Sequence, residues 1–175
     1  MPTAVERPAS EEYNAFYGGY INRVPEGDIF DVLSRQPGEL NQLVGHLSDA
    51  QALYRFEPNQ WSIKAVLGHI NDTERIFAYR ALCVSRGESA PLPGFEQDEY
   101  VRTANFDARP LAELLQEFDL MRRSNVLLFK DLSMEASLRR GTVSGWPITA
   151  RAMIYILPGH AYHHMESLRT DYGVH

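Results

Sequence analysis

Four stretches of the chain repeat apolar residues at the 3.6-residue period of an α-helix, and strand-like alternation is nearly absent. The first spans residues 28–56, where Leu33, Leu40, Leu43, Val44 and Leu47 fall near helical spacing. Pro37 inside it is expected to break or restart the helix at Gln36, because proline lacks the N–H and clashes with the preceding turn. The second begins after Ser62, a good N-cap, and runs to about Arg86, with Gly87 as its stop. Ile63, Val66, Leu67, Ile70, Phe77, Ala81 and Val84 make its single stripe. The third, about 108–132, is expected to be capped by Asp107 and carries Leu111, Leu115, Phe118, Phe129 and Leu132. The fourth, about 148–172, contains Pro158, which is expected to kink it. Four one-sided helices bury their stripes only against one another, so the fold class is all-α, a four-helix bundle.

The connections are less regular. Residues 1–27 contain Pro2, Pro8, Gly18, Gly19, Pro25 and Gly27, which exclude a long helix. They read as an irregular N-terminal arm that packs Tyr13, Phe16, Tyr17 and Tyr20 onto the body, leaving residues 28–175 as the bundle domain. A long loop, residues 87–106, separates the second and third helices and holds Gly87, Pro91, Pro93 and Gly94. Loops of this length in a small domain often cover a binding pocket. A short helix is expected within it at about 96–103. Residues 133–147 are irregular, with alternation at Arg140–Ser144 that suits a short hairpin.

Charge and cysteine content remove several functions. A net charge of −6 with no basic run argues against a nucleic-acid partner. One cysteine, Cys83, excludes an internal disulfide and any paired-cysteine metal site. No apolar leader opens the chain, and no apolar run approaches the roughly 20 residues of a membrane span. A cytoplasmic location is the expectation.

The chemistry concentrates in Pro158-Gly159-His160-Ala161-Tyr162-His163-His164, which holds three of the six histidines. Residues four apart on a helix share a face, so His160 and His164 can reach one ion. No glutamate follows the first histidine, which rules out the HExxH metalloprotease pattern. On the helical wheel His160 lies near the centre of the apolar stripe, with His163 and His164 on either side, and spacing does not choose between them. A third ligand fits best at His69, at the edge of the second stripe. Asp72, three residues on, could orient an imidazole or meet a substrate. Arg122 and Asn125 stand on the third stripe where apolar residues belong; either they find local partners or they form a polar pocket. Three neutral imidazoles suit a divalent metal, Zn, Ni or Fe, with positions left for water or substrate. Histidines packed without metal would give the same spacing.

Two motifs here resemble those of the DinB/YfiT-like superfamily. One is Trp61-Ser62-Ile63-Lys64-Ala65-Val66-Leu67-Gly68-His69-Ile70-Asn71-Asp72-Thr73-Glu74, and the other is Gly159-His160-Ala161-Tyr162-His163-His164. Phe77-Ala78-Tyr79-Arg80 and Pro91-Leu92-Pro93-Gly94-Phe95-Glu96-Gln97-Asp98 are similar to a subgroup pattern. The resemblance implies a four-helix bundle holding a divalent metal on three histidines, which here are His69, His160 and His164. It thereby favours His164 over His163. It also implies a metal-dependent enzyme that activates a thiol or water, as an S-transferase or a hydrolase, on a small-molecule substrate, with a low-molecular-weight thiol as one partner. Homodimers are common among such proteins. The rival expectation is a non-catalytic metal-binding protein of the stress-response or binding kind.

Overall fold

The computed structural model describes residues 5–175; Pro2 and the rest of the first four residues of the arm lie outside the described residues. Seven α-helices are present among them: α1 (Ala15–Ile21), α2 (Ile29–Val44), α3 (Ile63–Ser85), α4 (Gln97–Ala104), α5 (Leu111–Phe129), α6 (Met134–Leu138) and α7 (Ala150–Thr170). The hairpin of β1 (Arg140–Val143) and β2 (Trp146–Thr149) precedes α7. Its turn residues Ser144 and Gly145 both have positive φ, 52° and 84°, the backbone of a tight two-residue hairpin turn.

The four long helices pack in the cyclic order α2, α5, α3, α7, each touching two neighbours. Ser62 caps α3 as its residue type suggests, accepting the Ala65 N–H at 2.9 Å. Gly87 follows the last turn of α3 with φ 84°, conformationally open to glycine. Three expectations need correction. Helix α2 runs unbroken through Pro37, since the burial of Leu33, Gln36, Pro37 and Leu40 outweighs one lost backbone bond. It ends at Val44, and only a 3-10 turn at Gln51–Leu53 follows, so the helix does not fill residues 28–56. Asp107 does not cap α5: it accepts from Arg55 at 2.6 Å and from Ser62, and the Leu111 N–H is taken by Asp49 Oδ1 at 2.8 Å. Helix α7 is also continuous through its own proline, Pro158.

A polar layer divides the core. One apolar cluster takes Leu33 from α2, Phe77 and Ala81 from α3, Phe129 from α5 and Met153 and Leu157 from α7. The other takes Leu40 from α2, Val66 and Ile70 from α3, Phe118 from α5 and Ala161 and Met165 from α7. At the level between them lie buried Gln36, His69, Glu74, Arg122, Asn125 and His160, at least one from each of the four helices.

The arm is part of the body. Helix α1 packs on α7, and Gly159 makes room for it: a Cβ there would lie 2.3 Å from the Tyr20 carbonyl oxygen. Upstream, the buried Glu12 carboxylate accepts from Thr149 Oγ1 at 2.7 Å, Arg151 Nε at 2.8 Å and the Ala9 N–H at 2.9 Å. Burial alone would raise its pKa, but the bonds from Arg151, Ala9 and Thr149 win and lower it from 4.5 to about 2. A depressed carboxylate stabilises the fold above its unfolded pKa and loses that contribution as pH falls through the folded one. Glu12→Gln should therefore cost about 1–3 kcal/mol at pH 7. The gap from the parent should close as pH drops from 4.5 towards 2. Urea-unfolding midpoints of both proteins across that range check it.

Candidate metal centre

Helices α3 and α7 are adjacent in the bundle, and each brings histidine to the polar layer at the same height. His69 and His160 are buried and His164 is half-buried. His69 Nε2 lies 3.0 Å from His160 Nε2, which lies 3.1 Å from His164 Nε2. One ligand atom from each residue falls within 4.8 Å of the other two. His163, the alternative that spacing left open, is half-buried beside Tyr20, with ring centroids 5.5 Å apart, and stands outside this convergence.

Protons alone do not satisfy three facing nitrogens. His160 Nε2 offers either one N–H or one lone pair, shared between two neighbours. A cation about 2.0–2.1 Å from each nitrogen sets ligand pairs about 2.9 Å apart at a right angle and about 3.3 Å at a tetrahedral one. The two separations from His160, 3.0 and 3.1 Å, fall in that interval, and the third pair lies within 4.8 Å. Electrostatics favour the neutral, ligating imidazoles. Burial, reinforced by the charge of His163, lowers the pKa of His69 from 6.5 to about 4. Burial first, then the neighbouring histidines, pushes His160 and His164 well below their ordinary value. The donor set therefore fits a divalent metal.

Surrounding side chains hold the rings. Thr73, one turn after His69, places Oγ1 3.5 Å from His69 Nδ1, so the hydroxyl faces the nitrogen opposite the convergent one. Trp61 packs on His69, with centroids 4.8 Å apart, and Tyr20 and Phe77 flank His160 at 5.5 and 5.8 Å. The turn of α7 just before His160 is tied from behind. Arg122 NH2 donates to the Leu157 carbonyl at 3.1 Å and Gln36 Nε2 to the Pro158 carbonyl at 2.9 Å.

A cavity of about 500 Å³ opens onto His69 and His160. The arm walls one side with Asn14, Tyr17 and Tyr20; Phe77 and Arg80 of α3 and Phe95 of the long loop form another. Trp146 of the hairpin stands at the mouth, mostly exposed. The loop is fastened to the hairpin by the Leu92 N–H to the Thr142 carbonyl at 2.8 Å and the Ser144 N–H to the Leu92 carbonyl at 2.9 Å.

Residues 33–168 match the sequence profile of the DinB superfamily. The chain belongs to the DinB superfamily. Among solved structures this DinB-superfamily chain is similar to YfiT from Bacillus subtilis, described as a probable metal-dependent hydrolase with an unusual four-helix bundle topology. The two superpose with a TM-score of 0.75 over 97% of this chain and 95% of YfiT, at 15% identity. At that identity the likeness shows the shared four-helix bundle topology. No curated protein matches the chain in sequence.

Three further residues named from the sequence stand away from the cavity. Arg122 is wholly buried; its Nε meets Glu74 Oε1 at 2.8 Å and its NH1 meets Gln36 Oε1 at 2.6 Å. Asn125 Nδ2 donates to the same Glu74 oxygen at 2.6 Å. These two form a core network and do not line the cavity. Asp72 has Arg75, Glu117 and Arg109 as its charged neighbours; burial, ahead of these, raises its pKa. It too is absent from the cavity wall. The residues that do line it beside His69 were open to detection in the sequence: Thr73, Phe77 and Arg80 follow His69 at four, eight and eleven residues, one face of a helix.

Proposed function

We propose that this DinB-superfamily chain is a metal-dependent enzyme, with His69, His160 and His164 holding a divalent ion at the base of the cavity. The observation that carries the reading is the convergence of three neutral imidazole Nε2 atoms at 3.0 and 3.1 Å beside an open cavity. No carboxylate or thiol of the described residues joins that cluster, which leaves room for an exogenous ligand. A divalent ion in such a setting lowers the pKa of a thiol or water and polarises an electrophile. The chain's own residues supply the rest. Thr73 steadies His69, the Arg122–Gln36 network steadies the His160 turn, and Tyr17, Tyr20, Phe77 and Phe95 exclude water from the reacting groups. Hydrolysis is the first reaction to test, in keeping with what is said of YfiT. Transfer of a low-molecular-weight thiol to a small electrophile is the second.

The test joins metal content to turnover. Elemental analysis of the purified protein should find close to one divalent ion per chain, and His69→Ala and His164→Ala should each lower that at least tenfold. Equal, negligible metal in all three proteins would sink the reading. Turnover of activated esters, or of electrophiles with cysteine or other small thiols, should stop on chelation and return with metal. Full metal with no turnover on any substrate class would leave a metal-binding protein without this catalysis.

A further inference from the structure

Two arginines are buried in the described residues, and they differ in their partners. Arg122 has a carboxylate at 2.8 Å, an amide oxygen and a carbonyl. Arg80 is 3% exposed and has one hydrogen bond, NH2 to the Pro93 carbonyl at 2.6 Å. No carboxylate of the described residues lies within ion-pair distance of it. Glu96 and Asp98 line the same cavity, but both are exposed and neither pairs with it. The guanidinium carbon sits 5.5 Å from the Phe77 ring and 5.7 Å from the Phe95 ring. Burial pushes its pKa below the ordinary arginine value, ahead of the opposing charge interactions with Tyr17 and Tyr100.

A buried cation without a counter-charge is costly, and two ring faces offset only part of that cost. Holding one loop carbonyl uses one of five N–H donors, arranged as a fork that suits planar anions. The position adds direction. Arg80 is eleven residues beyond His69 on the same helix, about 16 Å along the axis at the usual rise. Phe77 stands between the two sites, its ring 5.8 Å from the His160 ring. One cavity therefore joins a cationic fork with no carboxylate partner, an aromatic wall and two of the histidines, His69 and His160.

We propose that the substrate carries an anionic group, carboxylate or phosphate, seated on Arg80, with an apolar body against Phe77 and Phe95 and its reacting group directed to the histidines. The inference rests on the reading of this cavity as the substrate site. Arg80 is then the residue that selects acidic small molecules and sets their direction in the cavity.

Calorimetric titration of the full chain with benzoate, phenyl phosphate and uncharged benzamide tests this, in zinc-loaded and in chelated, dialysed protein. At least one of the two anions should bind about tenfold or more tightly than benzamide, in both forms of the protein. The tighter anion identifies the group. Arg80→Met should abolish the preference, while Arg80→Lys should keep part of it. An unmodified protein that binds all three probes equally overturns the proposal, whether or not the variants fold. So does a preference that survives Arg80→Met. A preference that disappears on chelation assigns the anion to the metal and overturns the role of Arg80 alone. Failure to bind zinc overturns the metal reading and leaves the anion comparison readable.

Discussion

Arg122→Met should destabilise the protein by about 3–5 kcal/mol, the range for removing one partner of a buried ion pair. The loss is concentrated in what stays behind. Glu74 would keep Asn125 Nδ2 at 2.6 Å but lose its cation, and Gln36 Oε1 and the Leu157 carbonyl would each lose a donor. Methionine fills much of the volume and preserves the packing on Phe118, whose ring lies 4.6 Å from the Arg122 guanidinium. The deficit therefore reports polar loss and not a cavity. Adding Glu74→Gln should recover more than half of it, because an uncharged amide needs no cation. Equilibrium urea unfolding of the two single variants and the double variant measures the coupling. Additive effects would show that the pair does not act as a unit.

The second large effect is metal-linked stability. Zinc at about 1,000 times its dissociation constant should add about 4 kcal/mol to the folded state, by mass action. For a chain of this size that is a rise in melting temperature of about 8–16 °C. His160→Leu should remove the zinc response entirely, because His160 Nε2 is the atom within 3.0 and 3.1 Å of both other nitrogens. Without zinc, the same variant should be no less stable than the parent at pH 7. Leucine takes a buried place where imidazole is 5% exposed and where its charge is already disfavoured. Differential scanning calorimetry with and without zinc separates these outcomes. A full zinc shift in His160→Leu would remove His160 from the ligand set.

How much of this was legible in the sequence follows from the range of each interaction. Local signals read correctly: the stripes of α3 and α7, the Ser62 cap, the Gly87 stop, a short helix near residues 96–103 and a hairpin at the alternating Arg140–Ser144. The one-turn relation of His160 and His164 needed only helical periodicity. Interactions between distant segments were not legible. Asp49 caps α5 from 62 residues away, so the nearby Asp107 drew the assignment. Arg122 and Asn125 were visible as polar residues on an apolar face, but their partner Glu74 is 48 and 51 residues distant. Nothing local distinguishes a core network from a substrate pocket. Pro37 misled because a local rule was outweighed by tertiary burial. The aromatic arm was seen to pack, yet its place as a wall of the cavity depended on α1 meeting α7 at Gly159.

The two tryptophans of the chain stand at the two ends of the cavity's story. Trp61 touches His69, and Trp146 is at the mouth, 56% exposed. The protein thus contains its own optical gauge. A paramagnetic or heavy ion arriving at the histidines should dim the emission of Trp61, and an occupant of the mouth should shift that of Trp146. With each indole replaced in turn by phenylalanine, ion arrival and ligand entry become two separate clocks, readable in one stopped-flow cell without any attached dye.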